Sequence, residues 1–567
     1  MKLAALLFLG MTAMAQAEDA HRPLVGRSLV TTRYGIVASS QPLAARAGTL
    51  ILERGGNAVD AAIATNAAVG VMEPAMNGIG GDLFVLYWDA KAAKLHGLNA
   101  SGWAPTGLTP ESLAAKGVTT MPRDGAASVT VPGAVAGWQA LRDKFGTKPL
   151  SELLAPAIHY ASEGFPVGEI TAEAWAAASG RVGAPSASRT YLPGGRPPAP
   201  GQPFKNPDLA RSLSRIAERG RDGFYKGETA DAIVRTLREA GGTMTLADLA
   251  ELQPEWVEPI STQYRGWTVS EIPPNTQGIA ALMMLEIMES FPLGEWGFHS
   301  PRALHAMIEA KKLAYADMLQ YVGDPRFGAV PVAQLLDRAR AQRRAKQVDM
   351  AKAACEVAPD RLAGLTDAKG GDTIYLSVVD KDGNIVSLIQ SVFSAFGSGI
   401  VPEGTGFVLH NRGGLFTLEP GHPNTLAPRK RPLHTIIPGF MQKDGVQIGF
   451  GIMGGFNQAQ AHAQFVAGIA DYGFTIQEAL EAGRFTKPTF AGCDVEIEAL
   501  VPDATRAELQ RLGHQLLVVP PRQSNFGWGQ AVMARPDGVH FGASEPRHDG
   551  AAIPESPRIF GAAALGR

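Results

Sequence analysis

The stretch Gly370-Gly371-Asp372-Thr373-Ile374-Tyr375-Leu376-Ser377-Val378-Val379-Asp380-Lys381-Asp382-Gly383-Asn384 constrains this chain more than any other. From Ile374 to Val379 every residue but Ser377 is aliphatic, aromatic or β-branched, which predicts a strand in a buried sheet. Asp382-Gly383 predicts a two-residue primed turn, because both residues tolerate the positive φ it requires. The return strand is then Ile385–Gln390. Two glycines ahead of the first strand free the backbone for a strained turn at Asp372-Thr373. A hydroxyl therefore stands at the start of a strand, beside a peptide bond open to cleavage. Local physics alone favours an ordinary hairpin that happens to begin with threonine. The sharper reading makes Thr373 a new N-terminus, whose α-amine serves as general base to its own hydroxyl.

With 567 residues, the chain is long enough for two or three domains, or for one large precursor with a shared core. A hydrophobic fraction of 45% and a charged fraction of 19% are those of a soluble globular protein. The formal net charge of −2 gives no basis for binding nucleic acid or an anionic membrane. At the N-terminus Lys2, the apolar run Leu3–Met14 and Ala15-Gln16-Ala17 read as a signal peptide over residues 1–17, cut after Ala17. The run is too short for a comfortable membrane span, and no later segment is a better one. The expected product is periplasmic or secreted, with no membrane anchor after cleavage. Cys355 and Cys493 are the two cysteines, and their separation leaves pairing open. Without a CxxC, HExxH or Cys/His cluster, the chemistry is expected to need no metal and no cofactor.

Along the chain, Val30–Ala38 reads as a strand approaching a helix, Pro42 opens that helix, and Asn57 caps an alanine-rich, nearly apolar and buried helix from Ala58 to Met72. Asn77-Gly78-Ile79-Gly80-Gly81-Asp82 precedes a strand and lacks the Lys-Ser/Thr ending of a phosphate loop, so it reads as a tight turn. Residues 181–203 read as a surface excursion, and 333–352 as a basic, solvated helical stretch.

Several motifs together are more specific than any one: Gly371-Asp372-Thr373, Phe396-Gly397-Ser398-Gly399, Lys430-Arg431-Pro432-Leu433, Gly454-Gly455, and upstream Val129–Trp138 and Pro273–Gly278. They resemble the γ-glutamyltransferase family of N-terminal-nucleophile hydrolases across nearly the whole chain. The resemblance implies an α+β fold, an αββα sandwich built jointly by two subunits of one precursor. These are a large subunit, 18–372, and a small subunit, 373–567, whose N-terminal Thr373 is catalytic. It implies autocleavage between Asp372 and Thr373, an oxyanion hole from Gly454 and Gly455, and Ser391 as the hydroxyl that hydrogen-bonds the nucleophile.

The departures from the family pattern carry the substrate reading. Where the family grips an α-carboxylate with an arginine, this chain has Ala100-Ser101-Gly102; the serine pair is replaced by His434-Thr435. The positions that hold an α-amine carry Phe393, Arg412 and Leu415. Phe393 and Leu415 offer an ammonium no acceptor, and an unpaired buried ammonium is costly. Arg412 instead offers a bidentate cation for a carboxylate. The stretch Phe416–Arg431 is also short beside the lid of many family members, which implies an open site. These features resemble the branch containing oxamate amidohydrolase and glutaryl-type cephalosporin acylases. The expected function is an autoprocessing amidohydrolase or acylase, acting on a small-molecule amide whose acyl group carries an acid. The alternatives are a genuine γ-glutamyltransferase or glutathione hydrolase with altered donor recognition, and an inactive binding homologue.

Overall fold

The computed structural model describes residues 26–359, 372–520 and 526–557. The signal-peptide reading and Gly370-Gly371 lie outside the described residues, as does most of the segment leading to Thr373.

Two seven-stranded antiparallel sheets form the centre. The first runs Ala551–Pro554, Ile36–Ser39, Asp372–Val379, Ile385–Phe393, Asp82–Asp89, Lys94–Ala100, Glu255–Val257. The second runs Val30–Thr32, His540–Ser544, Gly529–Ala534, Val446–Ile452, Gly439–Lys443, Trp267–Glu271, Ile260–Tyr264. The hairpin singled out by the sequence occupies the middle of the first sheet, with a partner on each edge, and is buried accordingly.

Side-chain alternation sorts the strands into layers. Ile374, Leu376 and Val378 face outward, into a cluster that includes the helix Ala58–Met72. Tyr375 and Val379 face inward, against Ile272, Ile436, Phe440 and Val532 of the second sheet. A Cβ on Gly451 would stand 2.4 Å from the Tyr375 ring, so a glycine is what lets the sheets close at that point. On the far side of the second sheet, Ile448, Phe450 and Met441 pack with the helices Gly278–Met288, Pro301–Tyr321 and Asn457–Ala470. Helix, sheet, sheet, helix is the expected αββα order.

The helix Ala58–Met72 starts where the sequence places it, with Asn57 and Asp60 forming a capping box. Asp380 of the central hairpin accepts from the Ala58 amide at 3.0 Å, tying hairpin to helix.

Three local expectations are corrected. The hairpin connection is not a two-residue primed turn: Val379 pairs with Ile385, and only Gly383 of the loop has positive φ, at 83°. Asp380 outcompetes that turn by accepting the Asp382 and Asn384 amides at 3.0 Å each. Within 181–203, Val182, Ala187 and Tyr191 are buried; Tyr191 packs on Trp175 and Phe396, so the segment contributes to the core. In the basic stretch, Arg344 is buried against Asp317 at 3.0 Å, where a solvated face was expected. Cys355 and Cys493 are bonded, with an S–S distance of 1.99 Å.

Candidate active site

Thr373 lies at the end of the central strand, on the inter-sheet side, and is buried. The hairpin register shifts between Asp372, opposite Phe393, and Ile374, opposite Gln390. Ser391 and Val392 therefore both stand opposite Thr373, a β-bulge in the facing strand, a feature that re-aims side chains and bends the bulged strand. On the partner strand Phe393 has φ 77°, rare for a bulky residue and costly to hold.

The Thr373 hydroxyl donates to Ser391 Oγ at 3.2 Å. Ser391 Oγ also accepts from Arg412 Nη2 at 3.1 Å and from the Phe393 amide at 2.8 Å. Arg412 Nη1 donates to Thr435 Oγ1 at 2.6 Å. The guanidinium carbon lies 4.3 Å from the centre of the Phe393 ring. Arg412 is wholly buried, its Nε has no partner, and it forms no salt bridge among the described residues. Burial pushes its pKa down to about 9, with Asp82 opposing, so it carries its charge at neutral pH. Among the described residues this buried, positively charged fork has no carboxylate in direct contact.

The compensating charge is Asp82, the first residue of the strand Asp82–Asp89. Its Oδ1 accepts from the Gly102 and Gly133 amides at 2.9 and 3.2 Å. Its Oδ2 lies 3.0 Å from His434 Nε2 and 3.4 Å from His410 Nδ1. Burial alone would raise this carboxyl; the two imidazoles and Arg412 outweigh it and hold it below the ordinary range. His434 Nδ1 accepts the Ile436 amide at 3.4 Å, so Nε2 carries the ring hydrogen and donates it to Asp82. Burial, then Arg412, pushes His434 down to about 3, which leaves it neutral.

The residues singled out by the sequence thus divide into two groups. Thr373, Ser391, Arg412, Thr435 and Phe393 form one connected cluster. His434 and Ser101 lie behind it with their polar atoms engaged by protein: the Ser101 hydroxyl donates to Asn99 Oδ1 at 2.7 Å, and its carbonyl accepts from Arg431 at 2.9 Å. Leu415 is half-buried beyond Arg412. Asp82, which joins the Gly102 and Gly133 amides to both histidines, reads in the sequence as part of a turn. An acid closing a glycine-rich turn at the mouth of a buried strand was its one available signal.

Gly454 and Gly455 follow the strand Val446–Ile452 and precede the helix Asn457–Ala470, with φ of 123° and 60°. Their carbonyls accept from the Asn457 and Gln458 amides, and neither glycine's own amide donates among the described residues. Gln277, on the loop preceding the helix Gly278–Met288, donates to the Gly455 carbonyl at 2.7 Å and also to the Thr435 carbonyl. One side chain therefore ties the glycine pair to the loop that carries Thr435.

Away from this cluster, His305, Glu309 and His514 are the one group of potential metal ligands among the described residues. Lys312 Nζ lies 2.6 Å from Glu309 Oε1, so an ammonium already supplies the positive charge a cation would bring. No helix of the described residues is long and apolar enough to cross a membrane.

The γ-glutamyltranspeptidase profile matches residues 44–555. The chain belongs to the γ-glutamyltranspeptidase family. It is 35% identical to the glutathione hydrolase-like YwrD proenzyme of Bacillus subtilis, over 93% of this chain and all of that one. It is 34% identical to the oxamate amidohydrolase proenzyme of Klebsiella pneumoniae, over 92% of this chain and 98% of that one. The crystal structure of the cephalosporin acylase from Bacillus halodurans superposes with a TM-score of 0.85 at 44% identity, covering 93% of this chain and 97% of the other. The family thus includes the acylase and amidohydrolase members that the sequence resembles.

Proposed function

We propose that this γ-glutamyltranspeptidase-family protein is an exported, autoprocessing N-terminal threonine amidohydrolase or acylase. Its substrate is a small amide whose acyl group ends in a carboxylate and lacks an α-amine. The observation that carries the reading is Arg412: a buried guanidinium without a salt bridge among the described residues, sharing Ser391 with the Thr373 hydroxyl.

In the precursor, Thr373 Oγ attacks the carbonyl of Asp372. The peptide nitrogen leaves as the α-amine of Thr373, giving an ester between Asp372 and Thr373 Oγ. Water hydrolyses this ester and frees residues 18–372 and 373–567 as the large and small subunits. In the mature enzyme the α-amine takes the proton from Thr373 Oγ as the oxygen attacks the substrate amide carbon. The Gly454 and Gly455 amides, uncommitted within the described chain, are suited to stabilise the resulting oxyanion. The proton passes to the departing amine, the acyl group remains on Thr373, and water releases it. Ser391 fixes the hydroxyl, and Arg412 with Thr435 orients the acyl carboxylate.

Phe393 supports the absence of an α-amine from the substrate, since its ring covers one face of the guanidinium and supplies no acceptor. The disulfide suits an oxidising compartment outside the cytosol, in keeping with residues 1–17 as a signal peptide. The direct test compares hydrolysis of a glutaryl anilide with that of a γ-glutamyl anilide. Preferential turnover of the first is expected; efficient turnover of the second alone would overturn the substrate reading.

A further inference from the structure

We propose that the two chains made by cleavage before Thr373 remain covalently joined through the Cys355–Cys493 disulfide. The inference rests on the cleavage reading above, which puts Cys355 in the large subunit and Cys493 in the small one.

The sheets alone do not require such a bond. Both draw strands from each side of the cut, so the native subunits are interleaved whatever happens to the sulfurs. The region around Cys493 is different. Its three-stranded sheet, Phe485–Thr486, Asp494–Glu498 and Gln515–Val519, is made wholly from residues downstream of Thr373. The chain approaching Cys355 is laid along it. Ala353 donates to the Leu512 carbonyl at 2.7 Å, and the Gly492 amide to the Cys355 carbonyl at 2.7 Å. Lys312 Nζ holds the Ala354 carbonyl at 2.7 Å, and His305 bridges the Asp349 carbonyl and His514 at 2.9 and 2.8 Å. Once the peptide bond at Asp372 is cut, this strip becomes the terminal part of the large subunit. The disulfide is then its one covalent attachment to the small subunit, and it holds the new chain end against fraying.

The chemistry balances independently of the cut. Forming the bond removes two protons and two electrons from the thiols, passed by exchange to an oxidised dithiol oxidoreductase of the exporting compartment. Cleavage adds one water and leaves both sulfurs untouched. Cys493 is buried, but Cys355 is exposed, so a small thiol can reach the bond in the folded protein.

The test is a denaturing gel of the mature enzyme, alkylated before unfolding and run with and without reductant, with intact masses of each band. One band without reductant and two with it, the smaller beginning at Thr373, is the expected result. Two bands without reductant would overturn the crosslink while leaving the cut intact. A single band under both conditions would mean that the precursor is not cleaved, and would overturn both readings. The Cys355→Ser variant should give two bands in either lane, retain amidase activity, and be cleaved faster by added protease between residues 346 and 359. Should that variant not fold, recovery of the Cys355–Cys493 linked peptide from a digest of the processed wild type carries the test, and its absence overturns the proposal.

Discussion

Replacing Arg412 by Gln, the neutral amide type that the family resemblance implies for this position, isolates the charge while keeping a hydrogen-bond donor. A guanidinium has five N–H groups. Two are committed, to Thr435 and Ser391, which leaves three, including the unpartnered Nε, for a ligand. Two parallel bonds to a carboxylate are therefore available, each worth about 1.5–3 kcal/mol as a charge-assisted contact. Gln recovers part of one. At the low end of the range the two bonds amount to about 3 kcal/mol, and with part of one recovered the loss is about 2 kcal/mol, or roughly 30-fold in kcat/KM for an acyl group ending in an acid. For an anilide of similar length with a neutral acyl chain the loss should be small, because that substrate never used the charge. The assay is the ratio of the two kcat/KM values in wild type and variant, with processing followed on a denaturing gel to normalise for mature enzyme. A ratio unchanged by the substitution refutes the carboxylate role, even if both rates fall.

Thr373→Ala should remain an uncut chain, inactive on every amide, and mass spectrometry of the purified protein checks this directly. Phe393→Asn places a residue that tolerates φ of 77° at the bulge and supplies an acceptor, so turnover of γ-glutamyl relative to glutaryl anilide should rise. An unchanged ratio would show that position 393 does not discriminate the α-amine. Acid should destabilise the fold through its buried imidazoles. Burial depresses His299 to about 4, and His434 and His514 to about 3, so the unfolded chain binds protons that the folded one refuses. Their contribution is neutral above the unfolded pKa of about 6.5 and becomes unfavourable below it, by roughly 2 kcal/mol each at pH 5. Tm should fall between pH 7 and pH 5; a flat Tm over that window would show that these rings are not buried neutral.

The central hairpin and the capped helix Ala58–Met72 were legible because each is written in local pattern, whereas the layered architecture came from the family resemblance. A run of β-branched and aliphatic residues, or an Asn ahead of an apolar helix, needs no distant information. Around Thr373, the cluster Ser391, Arg412, Thr435 and Phe393 was reachable through family resemblance, since its members arrive from separate loops and share no spacing a single chain reveals. Asp82 escaped because a carboxylate in a turn is ordinary until two histidines and two remote amides close around it. The hairpin loop was misjudged for a related reason: the competing acceptor, Asp380, acts through backbone amides that only the folded loop brings within reach.

The sequence by itself determined which residue types this chain could bring to bear: a threonine following Gly-Gly-Asp, a buried-strand phenylalanine, an arginine between glycine-rich turns, and two unassigned cysteines. Only the tertiary structure decided their state. Burial fixed Arg412 as a charge without a salt bridge among the described residues, the bulge in the facing strand set Ser391 against Thr373, and chain packing brought together sulfurs 138 residues apart. Composition sets what a side chain can donate or accept, but exclusion of water and the distance to a partner set what that costs, and both are properties of the fold.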